Sequence, residues 1–179
     1  STMCRSMCPR RSAFYEQTGA YRDMVVTHLF QILGFMAMEP PTSLEPAPIS
    51  EEKNKVFRSM LPIQPSDVVR GQYTGYRGED GVDPESETET FIALKCYIDN
   101  WRWSGVPFYL RTGKRLANQT SMIAICFKHP PQQLFRETPL ESIAPNWVLL
   151  SIQPEESMRM EIHVKQPGLD MDTRVMQMN

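Results

Sequence analysis

Residues 90–110 read Thr-Phe-Ile-Ala-Leu-Lys-Cys-Tyr-Ile-Asp-Asn-Trp-Arg-Trp-Ser-Gly-Val-Pro-Phe-Tyr-Leu. From Thr90 to Trp103 the segment alternates in places and is rich in residues that suit a pleated, half-buried surface. Ser104-Gly105 then turns the chain, and Val106 to Leu110 predicts another strand. Toward the C-terminus, Ser121–Phe127, Trp147–Gln153 and Met158–Val164 read the same way, bounded by Pro, Gly or Asn. Asp172–Asn179 alternates like a strand that should continue. Toward the N-terminus, Val68–Tyr73 is a short β-prone run, and Gly75–Glu89, rich in Gly, Asp and Glu, predicts an exposed, mobile loop.

Before residue 62 the period changes. Met24, Val25, Leu29, Ile32, Leu33 and Met36 recur at helical spacing, so Gly19–Glu39 predicts an amphipathic helix. Thr18 or Gly19 can start it, and Pro40-Pro41 ends it. Thr42–Ile49, with Pro46 and Pro48, reads as an extended connector. Ser50 followed by Glu51 and Glu52 suits a helix start, with acids at the positive end of the dipole; that helix runs to about Leu61. Helices first and strands after, without βαβ alternation, predict an α+β fold: N-terminal helices packed on a largely antiparallel sheet.

The chain has 179 residues, 41% of them hydrophobic, and a formal net charge of -2. That is enough for one substantial domain with its own core. The near-neutral balance gives no footprint for nucleic acid or an anionic membrane, so neither is an expected partner. The longest apolar stretch, Met24–Met38, is interrupted by His28 and Gln31 and falls short of the roughly 20 residues of a membrane span. No secretory h-region follows Ser1, and a soluble cytoplasmic location is expected. Ser1–Ser12 lacks pattern and is expected to be disordered; residues 1–13 read as a leader and 14–179 as the domain. Both ends look cut.

Of the four cysteines, Cys96 and Cys126 sit among apolar residues and read as buried thiols. Cys4 and Cys8 have no His or second Cys pair to complete a metal site, so no metal is expected. No G-x-G-x-x-G opens a helix after a strand, and no P-loop occurs, so a dinucleotide has no recognisable cradle in this chain.

Several residues could carry chemistry. An imidazole such as His28 suits a general base if something orients it; a packed histidine at a helix surface is the plain alternative. Five residues at about 100° each place Asp23 and His28 about 140° apart on an ideal α-helix, so they do not stack. Both could face one ligand if the N-terminal part of that helix points into a cleft, where its dipole also favours a phosphate. Arg111, Lys114 and Arg115 surround Gly113 in a basic turn that could hold a phosphate, or be a solvated hairpin. Gln153, at a strand end, could bond a sugar hydroxyl or serve no such purpose. Asp99-Asn100-Trp101-Arg102-Trp103 could stack a sugar, although core aromatics at a strand end are commoner. His129 and His163 have no convergent partners.

One ordered series is more specific than any of these parts. It comprises Arg22-Asp23-Met24-Val25-Val26-Thr27-His28-Leu29, Ala37-Met38-Glu39-Pro40-Pro41, Val69-Arg70-Gly71-Gln72-Tyr73 and Glu89-Thr90-Phe91. It continues through Asp99 to Lys114, Ile152-Gln153-Pro154 and Lys165-Gln166-Pro167-Gly168. From Phe14 to its last residue the chain resembles the glucose-6-phosphate dehydrogenase family. The resemblance implies an oxidoreductase of the pentose phosphate pathway that oxidises glucose 6-phosphate at C1 to 6-phosphogluconolactone, passing a hydride to NADP⁺. His28 matches the histidine that takes the C1 hydroxyl proton, and Asp23 an acid that holds sugar hydroxyls. Lys114 matches a lysine of the sugar-phosphate pocket, and Gln153 a glutamine near it. The resemblance also implies a homo-oligomer paired through the sheet, with the NADP site in an N-terminal Rossmann domain absent from this sequence. Alone, the piece is expected to be inactive; a non-catalytic sugar-phosphate-binding or dimerisation module is the other reading.

There are departures. Val26-Thr27 replaces a common Gln-Asn, and Gln119-Thr120 stands where some members have a basic residue. Arg111 matches one residue of a second, structural NADP⁺ site found in some members. Thr120, Ala124 and Ser151 stand where basic residues would complete it, so no such cofactor is expected here.

Overall fold

The computed structural model describes residues 9–129, 144–165 and 173–178. Cys4, Cys8 and the Gln166-Pro167-Gly168 part of the family series lie outside them. The chain divides into two compact units, Ser1–Arg115 and Leu116–Asn179.

In the first unit, α1 (Pro9–Ala20) is followed by a π-helix (Tyr21–Leu29), α2 (Phe30–Ala37) and α3 (Pro46–Arg58). Helix α1 begins inside the stretch expected to lack order, and it breaks at Gly19, where φ is 66° and ψ 172°. Helix α3 starts four residues before the Ser50 cap that the sequence suggested, so the Pro46–Ile49 part of the expected connector is helical. The reason is that Pro46 occupies the first position, where the amide N–H it lacks would have had no partner. Gly34 lets α2 and α3 close: a Cβ there would lie 3.0 Å from Phe57 Cζ and 3.2 Å from Lys53 Cγ.

Three antiparallel strands complete the unit in the order β1 (Val68–Gly71), β2 (Phe91–Tyr97), β3 (Pro107–Gly113). On β2 the burial alternates, so Ile92, Leu94 and Cys96 face the core with Val25, Leu33, Ala37 and Val56 from the helices. The 75–89 loop is not simply a solvated excursion. Tyr76, Val82 and Ser86 are buried, and Tyr76 and Val82 belong to that core. The Tyr76 hydroxyl donates to Glu16 Oε2 at 2.6 Å, which ties the loop to α1. Trp103 does similar work for α2. Its Nε1–H donates to the carbonyl of Ala37 at 2.9 Å, satisfying a helix-end acceptor, and its ring meets Phe108 edge-on at 5.2 Å. Trp101, two residues earlier, is fully exposed.

In the second unit, β4 (Ser121–Cys126), β5 (Trp147–Gln153), β6 (Ser157–Lys165) and β7 (Thr173–Met178) form an antiparallel sheet in chain order. Trp147 pairs with Glu161 and Val148 with Met160. None of its described side chains is fully buried, and Met122, Ile152, Met158, Val175, Met176 and Met178 are exposed. Cys126 is exposed as well, contrary to the expectation of a buried thiol, because it lies on the outer set of a strand whose neighbours leave it open. Cys96 is buried as expected, and burial pushes its thiol up to about 11. Among the described residues no helix is long and apolar enough to cross a membrane, and no group of His, Cys, Asp and Glu gathers in metal-binding number.

Candidate functional site

Asp23 and His28 both lie on the π-helix, which alters the geometry that the sequence suggested. The amide of Phe30 bonds the carbonyl of Val25, five residues back. In such a coil, residues i and i+5 are separated by one hydrogen-bonded turn, as i and i+4 are in an α-helix. Asp23 and His28 therefore share a face instead of standing about 140° apart. The wider turn is of a kind often found at functional sites. The Thr27 hydroxyl bonds back to the Asp23 carbonyl within it.

The basic turn reaches this face through one residue. Lys114 Nζ stands 3.8 Å from Asp23 Oδ2, with both side chains about one-third exposed. The same ammonium lies 4.7 Å from the centroid of the Tyr15 ring, a cation–π contact. Its backbone is fixed separately, since the Lys114 N–H donates to the Thr90 carbonyl at 2.8 Å. A hollow of about 40 Å³ opens beside it, lined by Tyr15, Met24, Thr112, Gly113 and Lys114. That volume is a corner able to grip one end of a ligand, well below the several hundred Å³ that enclose one.

The other cations of the turn do not line this corner. Arg115 pairs with Glu79 and lies 4.6 Å from the Tyr73 ring centroid. Arg111 is exposed on β3 opposite Ala93. His28 is exposed, its side chain makes no hydrogen bond or ion pair among the described residues, and it does not line the corner either. Gln153 belongs to the second unit, at the exposed end of β5 opposite Ser121, before a cis Gln153–Pro154 peptide. Asp23 and Lys114 are thus the predicted site residues that the fold visibly joins.

Two further residues stand here that the sequence reading gave no role. Tyr15 is 2% exposed, and its hydroxyl donates to the Glu89 carbonyl at 3.3 Å. Burial above all, then the negative charges of Glu89 and Asp23, raises its pKa beyond the usual phenol range and keeps it a donor. Glu89 Oε1 accepts the N–H of Tyr21 at 2.9 Å. Glu89 had appeared only as a loop end and within the family series, and nothing local in the sequence pointed to Tyr15.

A family model described as "Glucose-6-phosphate dehydrogenase, C-terminal domain" matches residues 3–179. The chain belongs to that family. It is 42% identical over 181 aligned positions to a glucose-6-phosphate 1-dehydrogenase of Chlamydia muridarum, covering 94% of this chain and 36% of that protein. It is 44% identical over 163 positions to an Arabidopsis thaliana enzyme named glucose-6-phosphate 1-dehydrogenase 6, cytoplasmic, covering 91% of this chain and 31% of the relative. A crystal structure of the Mycobacterium avium enzyme superposes with a TM-score of 0.87 at 36% identity, over 97% of this chain and 37% of the other. A glucose-6-phosphate dehydrogenase in complex with glucose 6-phosphate superposes at 0.83 and 31% identity, over 94% and 35% of the respective chains. The chain therefore spans about a third of the length of the dehydrogenases it matches.

Proposed function

We propose that this chain supplies the sugar-phosphate side of an NADP-dependent glucose-6-phosphate 1-dehydrogenase, which oxidises C1 of glucose 6-phosphate to the lactone. The observation that carries the reading is the approach of Lys114 to Asp23 beside the small hollow. A carboxylate and an ammonium at this spacing offer an acceptor and a donor to adjacent hydroxyl or phosphate oxygens of one ligand. His28, on the same helical face as Asp23, is the base that takes the C1 hydroxyl proton as the carbonyl forms.

NADP does not fit the described residues. Their strands β1–β3 and β4–β7 all pair antiparallel, so they hold no parallel βαβ unit whose first turn could cradle a pyrophosphate. In our reading the nucleotide is held by a part of the enzyme beyond this chain, and it supplies the hydride acceptor. The exposed methionines and Val175 of the second unit support pairing of two copies through that sheet. A cytoplasmic setting fits the same reading.

Titration of the chain with glucose 6-phosphate, followed by amide NMR, tests the site. Resonances of Asp23, Thr112 and Lys114 should shift, and Lys114→Ala should weaken binding at least about tenfold. Equal shifts with inorganic phosphate and no added effect of the hexose would refute a sugar site. With NADP⁺ added, the chain alone should form no NADPH. Grafted in place of the corresponding segment of the Mycobacterium avium enzyme, the chain should support turnover, and His28→Ala should lower kcat about 10²–10⁴-fold. A graft whose kcat is indifferent to His28 removes the general base from the mechanism.

A further inference from the structure

Asp23 and Lys114 belong to elements far apart in sequence, and the two elements are anchored to adjoining residues, the helix end to Glu89 and the basic turn to Thr90. We propose that Glu89, acting with the adjoining Thr90, is a positioning residue that sets where Asp23 stands against Lys114. This deepens the sugar-phosphate reading and rests on it.

The helix side is anchored first. The helical run that starts at Tyr21 has no capping side chain of its own. Thr18, the nearest hydroxyl, donates to the Tyr15 carbonyl at 3.5 Å. The end is satisfied from 68 residues away: Glu89 Oε1 accepts the Tyr21 N–H at 2.9 Å. The Glu89 carbonyl accepts the Ala20 N–H at 3.0 Å. A carboxylate on the Tyr21 amide also suits the positive end of the helix. Asp23 follows two residues later. Gly19 makes the approach possible, because a Cβ there would stand 2.6 Å from Glu89 Oε1.

The lysine side is anchored by the next residue. Thr90 is 1% exposed. Its N–H donates to Gly71 O at 2.9 Å, and its carbonyl accepts the Lys114 N–H at 2.8 Å. Its Oγ1 accepts the Tyr73 N–H at 2.9 Å. Thr90 is thus fixed in the sheet and fixes the start of the basic turn. Tyr15 closes the triangle, with its hydroxyl on the Glu89 carbonyl and its ring under the Lys114 ammonium. The spacing between acid and ammonium therefore follows from one dipeptide that touches neither functional group.

Proton NMR of the chain reads this directly: the Lys114 ammonium lies 4.7 Å from the Tyr15 ring centroid, so the adjoining ε-methylene should be displaced upfield by its ring current. Glu89→Gln keeps an oxygen for the Tyr21 amide and should keep that displacement. Glu89→Asp withdraws the carboxylate by one methylene; it should lose most of the displacement and bind glucose 6-phosphate at least about tenfold more weakly, while the β2–β3 amide spectrum stays native. A full upfield shift and unchanged affinity in Glu89→Asp would overturn the proposal. So would loss of both in Glu89→Gln to the same degree as in Glu89→Asp. If the wild-type chain binds no glucose 6-phosphate, the sugar reading fails by itself, and the ring-current comparison still decides whether Glu89 positions Lys114.

Discussion

Replacing Gly19 by alanine should destabilise the first unit by about 2–5 kcal/mol, through two separable costs. The backbone there has φ 66° and ψ 172°, a combination that an L side chain avoids at a cost of roughly 1–3 kcal/mol. The added Cβ would also lie 2.6 Å from Glu89 Oε1 and 3.0 Å from its Cδ, so the carboxylate must leave. Tyr21 would then lose an acceptor that is charged. Such bonds contribute about 1.5–3 kcal/mol, and this one sits at the lower end because water can reach the Tyr21 amide. A change of this size is a large part of the stability of an ordinary domain. Urea unfolding followed through the β2 amide resonances, which belong to the same unit, measures it as a drop in midpoint at constant slope. The two costs separate in a double-mutant cycle with Glu89→Ala. Without the carboxylate, Gly19→Ala should cost only the backbone share, leaving a coupling of about 1–2 kcal/mol. A penalty under 1 kcal/mol in the wild-type background, or equal penalties in both backgrounds, would refute the reasoning.

Cys96 should make stability fall with alkalinity. Burial raises its pKa from 9.0 to about 11 in the folded chain. The stabilisation is whole below pH 9, where the thiol is protonated in both states, and it is lost as the pH rises toward about 11, because the unfolded chain ionises first. The loss approaches roughly 3 kcal/mol, and it should be missing from Cys96→Ala; identical pH profiles of the two would disprove it. The two tryptophans of the hairpin turn should behave oppositely. Trp103→Phe, which removes the bond to the Ala37 carbonyl, should cost about 1–3 kcal/mol, whereas Trp101→Ala should stay within about 0.5 kcal/mol; comparable melting shifts for the two would contradict the fold.

Much of this architecture was legible because its signals are local. Strand alternation is written in consecutive residues, so Trp147–Gln153 was delimited to the residue and most other strands to within a few, although the Thr90–Trp103 run overshot β2, which ends at Tyr97. The helical period from Met24 to Met36 found the helix that carries the site. Local signals failed where two of them compete. Pro46 and Pro48 read as breakers, yet the first turn of a helix has no use for the N–H that proline lacks. Acidic, glycine-rich residues 75–89 read as solvated, and only the complete core shows that Tyr76 and Val82 have apolar surface to cover.

The sequence by itself determined the α+β class, the order of the elements, the family and the identities of Asp23, His28, Lys114 and Gln153 as candidates, since each rests on residue type and spacing along the chain. The tertiary structure decided which of them meet. Whether the helix closes in turns of four residues or five, and whether a carboxylate at position 89 comes to cap it, depends on contacts between residues about 70 apart in sequence. No local pattern encodes such contacts, because they are stabilised only once the sheet has brought Thr90, Lys114 and the helix end together.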